Sequence, residues 1–178
     1  MVTDETLFNV FHEIMKQYKL PLSGIHGAAH WGRVLENGLK LAERTGANAD
    51  VIKLFALLHD SRRMNEDRDP DHGKRGAELA RSLQGRIYTL PSIDLELLCC
   101  ACELHTAGKI DADITVQTCW DADRLDLRRV GHIPDPRRLC TPAAKAPALI
   151  EWASRRSLDG HVAGFARTLC RIATQHTG

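Results

Sequence analysis

Apolar residues recur along this 178-residue chain at the spacing of one face of an α-helix. One run at positions i, i+3, i+4 and i+7 comprises Val51, Leu54, Phe55 and Leu58. Similar stripes return within 95–102 and within 162–172. No segment alternates apolar and polar residues in the way that indicates a β-strand. The sequence therefore predicts an all-α fold, a bundle of seven or eight helices.

The expected helices have recognisable ends. They lie at about 4–19, 28–45, 48–60, 73–84, 93–106, 114–129, 143–156 and 160–175. Asn48 and Asp71 are typical N-cap residues, and Thr141 followed by Pro142 is typical of a helix start. The segment GHIPDPRRLCTP at 131–142 predicts a loop that can cover a pocket. A chain of this length without internal repeats, 1–178, is expected to form one domain.

The charge balance limits the classes of partner. The chain carries 24 Lys and Arg residues against 23 Asp and Glu residues, for a net charge of +1. This balance gives no global field toward a nucleic acid polymer or a membrane surface, so recognition of an anion must be local. No signal-peptide or membrane-span pattern is present, and we expect a cytoplasmic protein that acts on a small molecule.

The cysteine pattern contains one C-x-x-C pair among six cysteines. The pair is Cys99 and Cys102, and it lies inside an apolar helical pattern without a second pair. We expect reduced, buried thiols, with a redox or zinc role as the alternative.

Six histidine and aspartate residues lie at expected helix ends or on apolar helical faces. They are His30, His59, Asp60, His72, His105 and Asp123. An ionised carboxylate among apolar residues is costly unless a cation compensates it, and imidazole with carboxylate suits a divalent metal. One inward histidine is more often a hydrogen-bonded core residue, but six such residues together favour a shared metal. The other histidines without nearby candidate ligands are expected in surface or structural positions; they are His12, His132, His161 and His176.

The first two aspartates of the segment CWDADRLDL lie on different helical faces. Asp123 shares the face of Trp120 and is the one expected at the metal, whereas Asp121 is expected to support the site by hydrogen bonding. His26 lies four residues before His30 and is likewise expected to orient a ligand if the helix has begun by that point.

This constellation resembles the HD superfamily of metal-dependent phosphohydrolases, whose pattern is a His, a later His-Asp doublet and a final Asp. The matching segments are HWGRV, LLHD and DADRL, and the resemblance covers about 26–130. It implies an all-helical bundle with a divalent metal between helices, whether Mn, Fe, Co, Ni, Mg or Zn. The implied ligands are His30, His59, Asp60 and Asp123.

A six-ligand variant of the family adds two histidines between the doublet and the last aspartate. His72 and His105 occupy that order. The resemblance then implies a second metal at these histidines, or else a role for them in phosphate binding or proton transfer. The implied reaction is hydrolysis of a nucleotide or related small phosphate ester by a metal-activated water, with Asp60 and these two histidines as catalytic residues.

Cations near the motif are candidates for binding the phosphate. Arg62 and Arg63 follow the doublet and Arg124 follows the last aspartate, and a planar guanidinium can donate two hydrogen bonds to one phosphate. Lys74, with Arg75, lies at a helix start that favours anions. The alternative is that Arg62 and Arg63 pair with the acidic loop at 66–69.

The residues leave two other functions open. Diiron oxygenases that resemble the superfamily use the same order of six ligands. A sensor module that retains the site without turnover is the non-enzymatic alternative. The residues also leave open whether the substrate is a monoester or a diester, and they carry no pattern that indicates an oligomer.

Overall fold

A computed structural model describes residues 1–175, which form eight α-helices. The helices are Asp4–Met15 (α1), Ala28–Thr45 (α2), Ala49–Leu58 (α3), His72–Leu83 (α4), Ser92–Leu104 (α5), Ile114–Arg124 (α6), Pro147–Leu158 (α7) and Gly164–Gln175 (α8). Two 3₁₀ helices, Leu127–Val130 and Pro136–Arg138, lie between α6 and α7. Within this part of the chain there is no sheet, so the all-α prediction is confirmed. His176 lies outside the described residues.

Local signals explain several helix ends. Asn48 caps α3, because its Oδ1 accepts hydrogen bonds from the N–H groups of Asp50 and Val51 at 2.9 and 3.4 Å. Helix α2 ends at Thr45 and is capped by Gly46, whose φ of 72° lies in the left-handed region that favours glycine. Asp71 precedes α4, but its side chain makes no capping hydrogen bond, so that predicted cap is wrong.

The expected helix start at Thr141 is also wrong. Helix α7 begins six residues later, at Pro147, and Ala146 is its N-cap residue. Thr141 is engaged elsewhere, since its N–H and Oγ1–H both donate to Asp121 Oδ2, at 2.8 and 2.7 Å. Helix α6 is shorter than expected as well and ends at Arg124. The buried Asp121 carboxylate therefore binds Thr141, the residue that the sequence pattern assigned to a helix start.

Helix α3 lies at the centre of the bundle. It contacts α1, α2, α4, α5 and α6. Its apolar side chains from Val51 to Leu58 are completely or almost completely buried, and burying each large one contributes about 1.5–3 kcal/mol. Because α3 is surrounded, its last turn carries His59 and Asp60 into the interior.

Two glycines let α4 approach its neighbours closely. A Cβ on Gly76 would lie 2.6 Å from the Leu58 carbonyl oxygen, and a Cβ on Gly73 would lie 2.3 Å from the Cys102 carbonyl oxygen. Both distances are shorter than van der Waals contact allows. The start of α4 is thereby held against the ends of α3 and α5.

The six cysteines form no disulfide. Burial raises the pKa of the Cys102 and Cys119 thiols well above the ordinary value, which keeps them protonated and unreactive. Among residues 1–175, no helix combines the length and apolar character needed to cross a membrane.

Candidate metal centre

Helix ends bring the six predicted histidines and aspartates into one cluster. His30 lies in the first turn of α2, His59 and Asp60 follow α3, His72 begins α4, His105 follows α5, and Asp123 lies in the last turn of α6. Five of the six residues are at most 4% exposed. The side chain of Asp123 is 14% exposed. The cluster is therefore an interior site with one member that reaches toward solvent.

Each imidazole of the cluster has its Nδ1 held against a fixed acceptor. The acceptors are the Phe55 carbonyl for His59 (3.0 Å), the Cys102 carbonyl for His105 (2.7 Å), the Asp69 carbonyl for His72, and the Asp126 carboxylate for His30 (2.8 Å). A proton on Nδ1 leaves Nε2 of the neutral ring as an acceptor. All four rings thus present an Nε2 lone pair to the interior.

The Nε2 atoms face one another in two pairs. Those of His30 and His59 are 3.1 Å apart, and those of His72 and His105 are 2.9 Å apart. Two lone pairs at such a distance repel unless a cation lies between or beside them. Neutral imidazole nitrogens are also the form in which histidine binds metals. The residues present therefore fit one divalent cation per pair.

Asp60 lies between the two pairs and offers one oxygen to each. Its Oδ2 is 3.5 Å from Nε2 of both His30 and His59. Its Oδ1 is 3.1 Å from Nε2 of His72 and 3.6 Å from that of His105. Two three-residue groups that share Asp60 each have their ligand atoms within 4.8 Å of one another. Asp60 could therefore supply one carboxylate oxygen to a metal held by either group.

Asp123 joins the first pair. Its Oδ1 lies 3.5 Å from Nε2 of His30 and 3.8 Å from that of His59. With Asp60, these residues make a donor set of two nitrogens and two carboxylates, which suits Mn, Fe, Co, Ni or Zn.

The electrostatics of the cluster favour the metal-binding protonation states of His59, Asp60 and Asp123. His105 differs, because burial would lower its pKa but the hydrogen bond and charge of Asp60 outweigh burial and raise that pKa. Burial lowers the pKa of His59 to about 3, so its ring is neutral near pH 7. Burial alone would raise the pKa of Asp60, but the surrounding imidazoles outweigh it and lower that pKa well below its usual value. The pKa of Asp123 is lowered for the same reason, by His59 and His30 against the effect of burial. Both carboxylates are therefore ionised.

Asp126 is a site residue that the sequence analysis missed. Its Oδ2 accepts from His30 Nδ1, while Arg33 Nε donates to Oδ1 at 2.6 Å and Ser157 Oγ donates to the same oxygen at 2.5 Å. The side chain is 1% exposed. A carboxylate behind a histidine fixes the ring orientation and raises its basicity toward a metal. The available signal was the spacing, since Asp126 follows Asp123 by about one helical turn.

The two residues expected to orient ligands contact other partners. Asp121 accepts from the backbone N–H of Cys140 at 2.7 Å and from Thr141, so it fastens the loop at 131–142. His26 Nδ1 lies 2.5 Å from Glu66 Oε2, and its ring centroid is 6.4 Å from that of His30. The structure thus places both residues near the site without a hydrogen bond to the six cluster residues.

Arg63 contacts the cluster directly. Its Nη1 is 3.5 Å from Asp60 Oδ1 and 3.3 Å from His72 Nε2. Its Nε and Nη2 donate to the backbone carbonyls of Asn65 and Asp67. The acidic loop therefore holds this guanidinium through main-chain oxygens rather than through its carboxylates, and the cation remains beside the site.

The other predicted cations have different surroundings, and Arg124 lines the cavity that opens onto the cluster. Arg124 donates from Nη1 to the Arg138 carbonyl and from Nη2 to the Lys109 carbonyl, both at 2.7 Å, so its guanidinium ties two loops together. Lys74 is exposed on the first turn of α4. Arg62 lines a separate cleft between the segments that follow α1 and α3.

A cavity of about 880 Å³ opens onto the cluster at His105 and Asp123. The loop predicted at 131–142 forms one of its walls, through residues that include His132, Ile133 and Arg138. A volume of this size accommodates a nucleotide-sized ligand. His132, which the sequence assigned to a surface or structural position, is thus a candidate for contact with a substrate.

Replacing Arg124 with glutamine should loosen the wall of this cavity. The substitution removes charge-assisted hydrogen bonds to Arg138 and Lys109, each worth about 1.5–3 kcal/mol. We expect limited digestion with trypsin to cleave at the exposed Arg137 and Arg138 several-fold faster, with fragments identified by mass spectrometry. Arg155→Gln, at an exposed position on α7, is the control; an Arg124→Gln protein cleaved at the control rate would refute the role.

Comparison with known proteins gives a family and one solved structure. The model of the HD domain family matches residues 27–128. A crystal structure of a predicted HD superfamily hydrolase from an uncultured Thermotogales bacterium is 26% identical to this chain, with a TM-score of 0.61. The similarity covers 86% of this chain and 86% of that one. Among curated proteins, none matches the chain significantly.

Proposed function

The chain belongs to the HD domain family, and on that premise we propose that it is a phosphohydrolase acting on a nucleotide or related small phosphate ester. The family and the similar hydrolase support a metal-dependent hydrolase in general. The observation that supports the finer proposal is the cluster around Asp60, of which His105 and Asp123 line a nucleotide-sized cavity.

The proposed ligand assignment follows the two histidine pairs. His30, His59 and Asp123 would hold one divalent ion and His72 with His105 a second, with Asp60 shared between them. When bound, the ions supply an acidified water as nucleophile and a Lewis acid for the phosphoryl group.

Arg63 is the cation best placed to bind the phosphoryl group. It lies beside both Asp60 and His72, where developing negative charge would need a donor. Main-chain oxygens of Asn65 and Asp67 already hold the guanidinium, so little reorganisation is required when substrate arrives. The rest of the substrate would occupy the cavity, against the apolar side chains of Leu127 and Ile133.

The direct test is an activity screen. Protein purified without added metal is analysed for metal content and then assayed with nucleoside monophosphates and cyclic nucleotides under nitrogen. We expect oxygen-independent release of phosphate or of phosphorylated product, restored by one of the six candidate metals and reduced to background by a chelator. Failure to turn over any of these esters with any of the metals would contradict the proposal.

One observation also favours a second candidate. Two histidine pairs joined by a carboxylate would suit two iron ions as well, as in a diiron oxygenase. Bound iron together with oxygen uptake would support that activity. Tight nucleotide binding without turnover across all metals would instead indicate a sensor module.

A further inference from the structure

A second cleft, outside the cavity of the metal centre, is lined by cations. It is formed by the segments that follow α1 and α3 and by the first turn of α4, and it encloses about 540 Å³. Its cationic lining residues are Lys16, Lys19, Arg62, Arg63 and Arg75, and none of the acidic residues within 1–175 lines it. The overall charge of the chain is nearly balanced, so this concentration is a local feature.

Three of the five cations are already paired. Lys16 Nζ lies 2.5 Å from Glu13 Oε1, and Arg63 Nη1 lies 3.5 Å from Asp60 Oδ1. Arg75 Nη2 lies 2.5 Å from Asp69 Oδ2.

The other two cations lack such partners. Among the described residues, no carboxylate oxygen lies within 4.0 Å of the charged nitrogens of Lys19 or Arg62. Glu13 attracts Arg62 electrostatically from a longer distance, but its carboxylate forms an ion pair with Lys16. Two positive charges in the cleft are therefore without a contacting anion.

Arg62 supplies an independent indication of a missing ligand. Its Nη1 is buried and has no hydrogen-bond acceptor among the described residues. Buried donors are almost always hydrogen-bonded, because an unpaired one carries the full cost of its desolvation. A bound anion would satisfy both the donor and the charge.

We propose that this cleft binds the phosphate group of a small phosphorylated molecule, at a site separate from the metal centre. A phosphate monoester carries a charge of about −1.5 to −2 at neutral pH, which matches the two cations that lack a carboxylate. Arginine and lysine suit a phosphate ligand. The planar guanidinium of arginine can donate two parallel hydrogen bonds to it, and the ammonium of lysine attracts it as a compact positive charge.

The rest of the ligand has room beside the phosphate. The cleft is larger than one phosphate group needs, and Tyr18 and Met64 add aromatic and apolar surface to its wall. Arg63 lines the cleft and also contacts Asp60, so the two sites meet at this side chain. The proposal therefore favours a phosphorylated molecule over free phosphate.

The test measures how much phosphate the metal-loaded protein binds. In equilibrium dialysis with radiolabelled inorganic phosphate, we expect the wild type to bind one more phosphate per chain than the Lys19→Gln/Arg62→Gln double variant. Phosphate at the metal centre contributes equally to both proteins. The affinity of the cleft site should fall at least about tenfold in the variant, since charge-assisted hydrogen bonds are lost.

A matched variant separates the cleft from general loss of charge. Lys145→Gln/Arg155→Gln also removes one lysine and one arginine charge, but from exposed positions outside the cleft. This variant should bind phosphate like the wild type. Circular dichroism checks that all three proteins are folded. Equal binding stoichiometry and affinity in the wild type and the Lys19→Gln/Arg62→Gln protein would overturn the proposed site, whatever the enzyme does.

Competition identifies the source of the phosphate group. Phenylphosphonate adds a ring to a non-hydrolysable phosphate mimic, whereas methylphosphonate adds only a methyl group. We expect phenylphosphonate to displace the cleft-bound label at several-fold lower concentration, because Tyr18 and Met64 can contact its ring. Equal displacement by the two compounds would contradict the preference for a phosphorylated molecule.

Discussion

The Asp60→Asn protein is expected to lose at least about 100-fold in hydrolytic rate while it keeps its helical fold. Removing a residue that only hydrogen-bonds to a metal ligand lowers metal affinity or activity by about 10- to 100-fold. Asp60 would itself be a ligand, shared by two ions, so its loss should have a larger effect. Its two oxygens face the two pairs of imidazoles at 3.1–3.6 Å, and an amide nitrogen in place of either oxygen cannot bind a cation. Steady-state rates at saturating metal, with far-ultraviolet circular dichroism, test the prediction.

Asp111→Asn provides the matched control for this experiment. Asp111 is exposed in the loop between α5 and α6, so the same substitution there should leave the rate unchanged. The Asp60→Asn protein keeps nearly the volume of the native side chain, which limits packing defects. Full turnover by a folded Asp60→Asn protein would rule out the proposed mechanism.

Replacing Asp126 with alanine should produce the largest loss of stability. The substitution leaves the buried Arg33 without its bidentate partner and removes the acceptors of His30 and Ser157. Breaking a buried ion pair on one side costs about 3–5 kcal/mol. For a chain of this size, that loss lowers Tm by roughly 6–20 °C in thermal unfolding followed by circular dichroism.

The pH dependence gives this prediction a distinct sign. Burial would raise the pKa of Asp126, but hydrogen bonds and charges from His30 and Arg33 outweigh it and hold that pKa far below the ordinary value. A carboxyl whose pKa is lowered in the folded state stabilises the fold above its unfolded pKa of about 3.9, and this contribution is lost as pH falls toward the folded value. The Tm difference between wild type and Asp126→Ala should therefore be full near pH 7 and shrink below about pH 4.

Asp135→Ala serves as the control for Asp126. Asp135 pairs with the exposed Arg137, and exposed pairs contribute about 0–1 kcal/mol. A Tm shift in the Asp126→Ala protein no larger than that of Asp135→Ala would show that the buried network does not support the fold.

Much of the site was predictable because its residues stand out locally. His59 and Asp60 end an apolar helical run, where titratable groups are costly without a cation. The same argument selected Asp123 over its neighbour Asp121, and the structure places Asp123 in the cluster and Asp121 against the loop. Periodicity was sufficient for these residues because burial follows from the helical face.

The parts of the site that the sequence did not predict depend on contacts between segments far apart in the chain. Asp126 was missed because its partners Arg33 and Ser157 come from α2 and α7, and no local pattern joins them. The contacts of Arg124 were missed for the same reason, because the carbonyls of Arg138 and Lys109 that accept its hydrogen bonds come from two separate loops. Irregular loops have no periodicity from which such partners can be inferred.

Metal stoichiometry tests the central claim most directly. The two histidine pairs on either side of Asp60 predict two divalent ions per chain in the wild-type protein, measured by plasma mass spectrometry after dialysis against the metal that restores activity. The Asp60→Asn protein should retain less than one ion per chain under the same conditions. Wild-type protein that is folded and active with no bound metal, or an Asp60→Asn protein with an unchanged metal content, would contradict the account.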